Sequence, residues 1–149
     1  MWVRLLAACG MTPSLWGSPS RAAAAEADWT ERLFAAKNVR EAAAAIGAGA
    51  PIDTRDVAWG NTPDIAENGQ VVPISIASRV PGTEAIGVLI EKNPNPMAAW
   101  FDVLPGTDAT FRTNFKLGES SSVVALIKAG GKLYTSSHEI KVTIGGCGG

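Results

Sequence analysis

Apolar and polar residues along this chain follow two different periods. Over residues 28–46 the spacing is helical, with Leu33 and Phe34 forming an apolar patch and Asp28 placed as an N-cap three residues before Glu31. Asn38 interrupts this run, and Val39 to Ile46 resumes it as an alanine-rich turn or two that Gly47, Gly49 and Pro51 end. Ala42 to Ala45 favour helix strongly but carry little surface to bury, which predicts a surface helix lying close on a sheet. Residues 51–70 read as a connector rich in Asp, Asn, Pro and Gly, in which Asn68-Gly69 signals a turn.

From residue 71 the period becomes two. Val72, Ile74 and Ile76 alternate with Pro73 and Ser75, and Ile86, Val88 and Ile90 alternate with Gly87 and Leu89. Trp100 and Phe101 open a short strand that Pro105-Gly106 stops. Phe111, Thr113, Phe115 and Leu117 share one face, and Phe111, Phe115 and Leu117 are assigned to the core. Val123 to Ile127 is apolar on both faces and belongs in the centre of a sheet. Tyr134, Ile140, Val142 and Ile144 line one face of a long last strand. Six strands joined by short turns, including Val80-Pro81-Gly82, Asn93-Pro94-Asn95-Pro96 and Gly130-Gly131, predict a mainly β protein. The expected fold is an antiparallel, immunoglobulin-like β-sandwich preceded by a helical segment.

Composition narrows the function. With 13 Lys and Arg against 14 Asp and Glu in 149 residues, the chain lacks the basic footprint of a nucleic-acid binder. No stretch reaches the roughly eighteen apolar residues of a membrane span. Of the 46% hydrophobic residues, 24 are Ala, so the large apolar side chains are concentrated after residue 70. Residues 1–25 read as a signal peptide: Arg4 precedes an apolar stretch from Leu5 to Trp16, and Ala22 to Ala25 offer small residues for cleavage. That leaves residues 26–149 as one exported domain carrying a charge of about −3 once Arg4 and Arg21 are removed. Cys9 follows an apolar stretch too short for a lipoprotein signal and is expected to leave with the leader.

One His and two distant Cys exclude most His/Cys metal clusters and a disulfide framework. His138 has the parity of Tyr134 and Ile140, so it is expected to face the apolar side, hydrogen-bonded or at a subunit contact. Ser137 falls on the opposite face, which argues against a hydrolytic Ser-His arrangement. Trp59, Trp100 and Phe101 are expected in the core or at a partner contact, and Asp53, Arg55 and Asp56 as a solvated charge cluster.

The last strand runs into Gly145-Gly146-Cys147-Gly148-Gly149. Glycine has the widest backbone freedom and no side chain to pack, so this stretch reads as a flexible arm that leaves the Cys147 sulfur unshielded. Gly145 to Cys147 alone reaches at most about 10 Å. No Lys, Arg or helix N-terminus adjoins Cys147 in sequence, and the terminal carboxylate two residues away disfavours the thiolate. Cys147 therefore suits a covalent handle better than an autonomous catalyst, and no catalytic, metal or cofactor-binding residue is assigned. Two alternatives remain open at this point, a stand-alone thiol redox protein and a structural module cross-linked through Cys147.

This C-terminus resembles the signature of the SoxY family, the sulfur-carrier subunits of the bacterial Sox thiosulfate-oxidation system. The segment Pro63 to Gly69 followed by Val71-Val72-Pro73, the hairpin Glu91 to Pro96, and Gly131-Lys132-Leu133-Tyr134 leading to Ile140 to Gly145 are similar to the same family, so the resemblance spans roughly residues 30–149. Members often carry a twin-arginine leader, and residues 1–25 have no such pair. The resemblance implies a periplasmic, non-catalytic heterodimer with a SoxZ-like subunit, in which Cys147 holds sulfur intermediates and Gly145, Gly146, Gly148 and Gly149 form the arm. It implies loading by a SoxAX-like c-type cytochrome, sulfate release by a metal-dependent SoxB-like hydrolase and, where present, further oxidation by a sulfane dehydrogenase.

Overall fold

The computed structural model describes residues 21–143, with side chains described from Asp28 onward. Cys9, nearly all of the leader, and the arm at Gly145, Gly146, Cys147, Gly148 and Gly149 lie outside the described residues.

Helix α1 (Arg21–Ala35) starts upstream of the expected cap. Asp28 is inside it rather than at its N-terminus, and its carboxylate lies 3.1 Å from the Arg32 guanidinium one turn on. The reason is propensity: Ala22 to Ala25 extend a helix without needing a cap at Asp28. Helix α2 (Val39–Ala45) begins where Asn38 breaks the run. Asn38 is its N-cap, with Oδ1 accepting from Glu41 N at 3.0 Å and Nδ2 donating to Glu41 Oε1 at 2.7 Å. The Glu41 carboxylate also accepts from Lys37 N at 2.8 Å, so side chain and backbone satisfy each other reciprocally. At the other end Ala48 N donates to Ala43 O and Gly47 N to Ala44 O, a Schellman pattern with Gly47 at φ 68. Replacing the cap, Asn38→Ala, is expected to cost about 1 kcal/mol, read as a lower urea midpoint with unchanged slope.

Among the described residues nine strands follow: β1 (Ile52–Asp53), β2 (Val57–Trp59), β3 (Ile65–Ala66), β4 (Val72–Ser78), β5 (Thr83–Ile90), β6 (Met97–Asp102), β7 (Thr110–Phe115), β8 (Ser121–Ala129) and β9 (Lys132–Val142). One sheet has the order β1-β9-β8-β5-β6, with β3 also paired to β9, and the other the order β2-β4-β7. The last six strands correspond to the six expected ones, although β6 begins at Met97 rather than at Trp100. The supposed connector 51–70 instead holds β1, β2 and β3, and β1 and β3 run parallel to β9 within an otherwise antiparallel architecture. Strands of two or three residues are too short to show a period, which is why the pattern conceals them.

The layers are helix, large sheet, small sheet. Ile86, Val88, Ile90, Val123, Ala125, Ile127 and Ile140 face the small sheet, where Val72, Ile74 and Ile76 meet them. On the other face Leu89, Val124, Leu126 and Leu133 pack against Leu33, Ala36, Ala42, Ala43 and Ala45. Both faces of β8 are thus covered, which accounts for its unbroken apolar run and its place between β5 and β9. Burying each such Ile, Leu or Val contributes about 1.5–3 kcal/mol. The alanines let α2 lie close on the sheet. Leu117 is buried, and Phe111 and Phe115 pack against the same core cluster but stay half-buried, because β7 is an edge strand with solvent on one side. Phe111 stacks on Phe101 of β6 at 4.6 Å, closing the side of the sandwich where both edges lie.

Candidate functional site: the root of the C-terminal arm

Strand β9 delivers the chain towards the arm; two separate segments hold its end by hydrogen bonds, and a third abuts it. Lys141 N donates to Asp64 O at 2.8 Å and Thr143 N to Ala66 O at 3.0 Å, so β3 and the residue before it clamp the strand from one side. From the other, Ser120 Oγ accepts from Val142 N at 2.9 Å. The third is the turn at Asn68-Gly69, where Asn68 Oδ1 accepts from Gln70 N and Gly69 O accepts from Leu117 N at 2.8 Å. Gly69 is required sterically: a Cβ there would stand 2.4 Å from Leu117 O and 3.0 Å from a Val142 methyl. Asn93, in the β5–β6 turn, receives Gly118 N on Oδ1 and gives Nδ2 to Lys116 O, tying the β7–β8 loop to the same end of the molecule.

These segments border a groove of about 230 Å³ whose lining includes Asn68, Gln70, Gly118 and Thr143. The polar side chains beside it, Glu67, Asn68 and Gln70, are exposed. The arrangement is a rigid, hydrogen-bonded exit for a chain end, with solvent around it.

His138 lies within the same strand. Its ring stacks on Trp59 of β2 at 5.1 Å, and Trp59 Nε1 donates to Ser136 Oγ at 3.2 Å. Nε2 is buried and 3.2 Å from Asp64 Oδ1, but its direction misses hydrogen-bond alignment with that oxygen. The expected inward face is therefore correct, whereas the expected hydrogen bond is a close approach instead. Ser137 is exposed on the other face, so the two residues do not come together. Asp53, Arg55 and Asp56 are exposed as expected, and Asp53 additionally accepts from Thr135 Oγ1 at 2.8 Å. Trp100 packs edge-on against Trp29 at 6.4 Å, bordering a cavity of about 280 Å³ under α1. Among the described residues no group of three His, Cys, Asp or Glu side chains could hold a metal ion, and no helix is long and apolar enough to cross a membrane.

Sequence reasoning singled out the thiol and its glycines, all outside the described residues, and missed the clamp. Asp64 and Lys141 are far apart in the chain and bond through backbone groups that every residue type carries, and the Ser120 hydroxyl that accepts from Val142 N is one of many serines with nothing local to mark it. The Asn68-Gly69 turn was the one signal pointing to this end of the fold.

The comparisons with known proteins bear on this end directly. The family profile described as sulfur oxidation protein SoxY matches residues 42–147, from α2 through to Cys147 itself. Among solved structures, the sulfur carrier protein SoxY from Chlorobium limicola f. thiosulfatophilum is similar with a TM-score of 0.62 and 35% identity, over 68% of this chain and 92% of that one. Superoxide reductase (neelaredoxin) from Ignicoccus hospitalis has a TM-score of 0.51 at 17% identity, over 60% of this chain and 81% of that one. Its E23A variant has the same TM-score at 15% identity, over 72% and 90%. That second likeness is one of fold alone. No curated protein matches the chain. With well over half of its length under a single profile that continues past the clamped strand to the terminal thiol, this chain belongs to the SoxY family of sulfur oxidation proteins.

Proposed function

We propose that this protein is a covalent carrier of sulfur intermediates in thiosulfate oxidation, holding them on Cys147 and presenting them to partner enzymes from the periplasm. The single observation that carries the reading is the family match reaching Cys147 within Gly145-Gly146-Cys147-Gly148-Gly149. The clamped end of β9 supports it: a tether works best when its root is fixed and its far end is free. A substrate held covalently on such a tether visits successive active sites at high effective concentration, without dissociation competing with transfer.

The chemistry follows from the thiol. Loading joins Cys147 Sγ to the outer sulfur of thiosulfate: the thiol loses its proton, two electrons leave to the hemes of a SoxAX-like c-type cytochrome, and a cysteine S-thiosulfonate remains. A SoxB-like hydrolase then adds water to the terminal sulfone, breaking the sulfur–sulfur bond to it. Sulfate and one proton depart, and the other proton of the water stays on the persulfide (–SSH) left on Cys147. A sulfane dehydrogenase, where the host has one, oxidises that remaining sulfur. The bond to Cys147 stays intact through these steps and is open to thiol exchange afterwards. The carrier itself supplies no base or metal to these reactions, and a SoxZ-like subunit completes the heterodimer.

The test is mass spectrometry of the intact protein and its C-terminal peptide from thiosulfate-grown cells. The expected result is a series of sulfur-containing adducts on the peptide with Cys147. A thiol found only free, or only in a disulfide-linked dimer of this chain, would overturn the reading in favour of a redox or cross-linking module.

A further inference from the structure

Asn68-Gly69 is the only Asn-Gly pair in the chain. Of the six asparagines, Asn93 and Asn95 precede proline, which has no N–H. Asn38, Asn61 and Asn114 precede Val39, Thr62 and Phe115, whose side chains crowd the amide between the two residues. Gly69 alone presents a following amide with no side chain beside it. The difference is chemical as well as conformational. The amide nitrogen after an asparagine is placed to attack the side-chain carbonyl, and bulk on the next residue hinders that approach.

The structure leaves both partners free to react. Asn68 is exposed. Among the described residues Gly69 N donates no hydrogen bond and Asn68 Nδ2 holds none, so neither the attacking nor the leaving nitrogen is tied down. Asn68 Oδ1 does accept one, from Gln70 N at 2.9 Å. A donor on that oxygen draws electron density from Cγ and stabilises the negative charge that develops during attack. The turn between β3 and β4 therefore presents an activated carbonyl beside an unhindered nitrogen, in contact with water.

We propose that Asn68 is a site of spontaneous deamidation in the folded protein, and that its isoaspartyl product releases the turn from its place against the end of β9. Gly69 N gives its proton to solvent and bonds to Asn68 Cγ. The Cγ–Nδ2 bond breaks and the amide leaves as ammonia, closing a five-membered succinimide. One water then opens the ring at either carbonyl, giving aspartate or isoaspartate. No oxidant or reductant takes part. In the isoaspartyl form the backbone runs through Cβ and Cγ, one carbon longer than before. Gly69 is packed too closely to absorb the extra length, since even a Cβ there would stand 2.4 Å from Leu117 O. The longer path displaces Gly69 and breaks the bond from Leu117 N to Gly69 O. The inference does not depend on the carrier reading, because every atom in it belongs to the sandwich.

The experiment incubates the folded full chain in mildly alkaline buffer, followed by tryptic digestion and mass spectrometry. The expected result is a gain of one dalton in the peptide from Asp56 to Arg79, placed by fragment ions at Asn68 and not at Asn61. Its rate should exceed that of every other asparagine by about tenfold or more, because only Gly69 leaves the attacking amide uncrowded. Labelling by an isoaspartyl methyltransferase identifies the isoaspartate. The product carries one more negative charge, so ion exchange separates it. In the separated isoaspartyl form the Leu117 amide should exchange with deuterium about fivefold or more faster, as expected for the loss of one backbone hydrogen bond. Asn68→Asp keeps the normal backbone and an acceptor for Gln70 N, and should leave exchange at Leu117 at the wild-type rate. A mass gain that appears only after unfolding in urea, or first at another asparagine, overturns the site. Unchanged Leu117 exchange in the isoaspartyl form, or equally fast exchange in Asn68→Asp, overturns the release of the turn.

Discussion

Cys147→Ser is expected to abolish adduct formation completely while the protein folds and pairs as before. A serine oxygen is a poor nucleophile at neutral pH and forms no sulfur–sulfur bond, so neither thiosulfonate nor persulfide can be held. Position 147 lies beyond the clamp that ends at Thr143 N, and the substitution replaces one sulfur by oxygen. Its effect on stability should stay within about 0.5 kcal/mol, the range of surface changes that touch no special feature. Two measurements check this together: mass spectrometry of the C-terminal peptide after incubation with thiosulfate and the loading enzyme, and thermal unfolding of the same preparation. Adducts persisting on the serine variant would place the attachment atom elsewhere. A large loss of stability would instead give Cys147 a structural role.

The largest effect on folding is expected from Ile140→Ala. Ile140 is fully buried in the cluster between the two sheets, on β9 opposite Ser121 of β8. Removing its outer carbons gives up their transfer free energy and leaves a cavity that the surrounding sheets cannot fill, a cost of about 2–5 kcal/mol. Against a total stability of roughly 5–15 kcal/mol, this is a large fraction. Chemical denaturation should show a lower midpoint with an unchanged slope. Loading of Cys147, measured per folded molecule, should be unaffected, because the cavity lies in the sandwich and the reacting sulfur on the arm. A midpoint equal to the wild type would mean that β9 contributes little to the core. A loading defect in the folded fraction would mean that the packing of the last strand governs how the arm is presented.

These two substitutions separate what the chain does from what keeps it folded, and the sequence allowed the same separation. Strands β4, β5, β7 and β9 were legible because alternation over five or more residues survives any tertiary arrangement, while β6 was marked only by Trp100-Phe101 and the Pro105-Gly106 stop. The helix break at Asn38 and the stop at Gly47 were legible because caps and C-termini are local chemistry. The doubly apolar run Val123 to Ile127 announced a central strand, and the structure adds the reason, since helices cover one face and the small sheet the other. Asp28 misled because a cap is recognised relative to what precedes it, and the preceding alanines continue the helix. For Phe111 and Phe115 alternation identified the core-facing side but not how deeply it is covered; an edge strand leaves its inner face half open.

By itself, then, the amino-acid sequence determined the strand-rich class, the central strand, the helix limits around residue 38 and the glycine-flanked thiol on which the proposed chemistry rests. The tertiary structure alone decided the parallel pairing of β1 and β3 with β9 and the two-sided hydrogen-bonded clamp on the end of β9. The physical reason is that period and capping are written in side chains a few residues apart. The clamp joins backbone groups and one serine hydroxyl from distant parts of the chain, and side-chain patterning does not record such pairings.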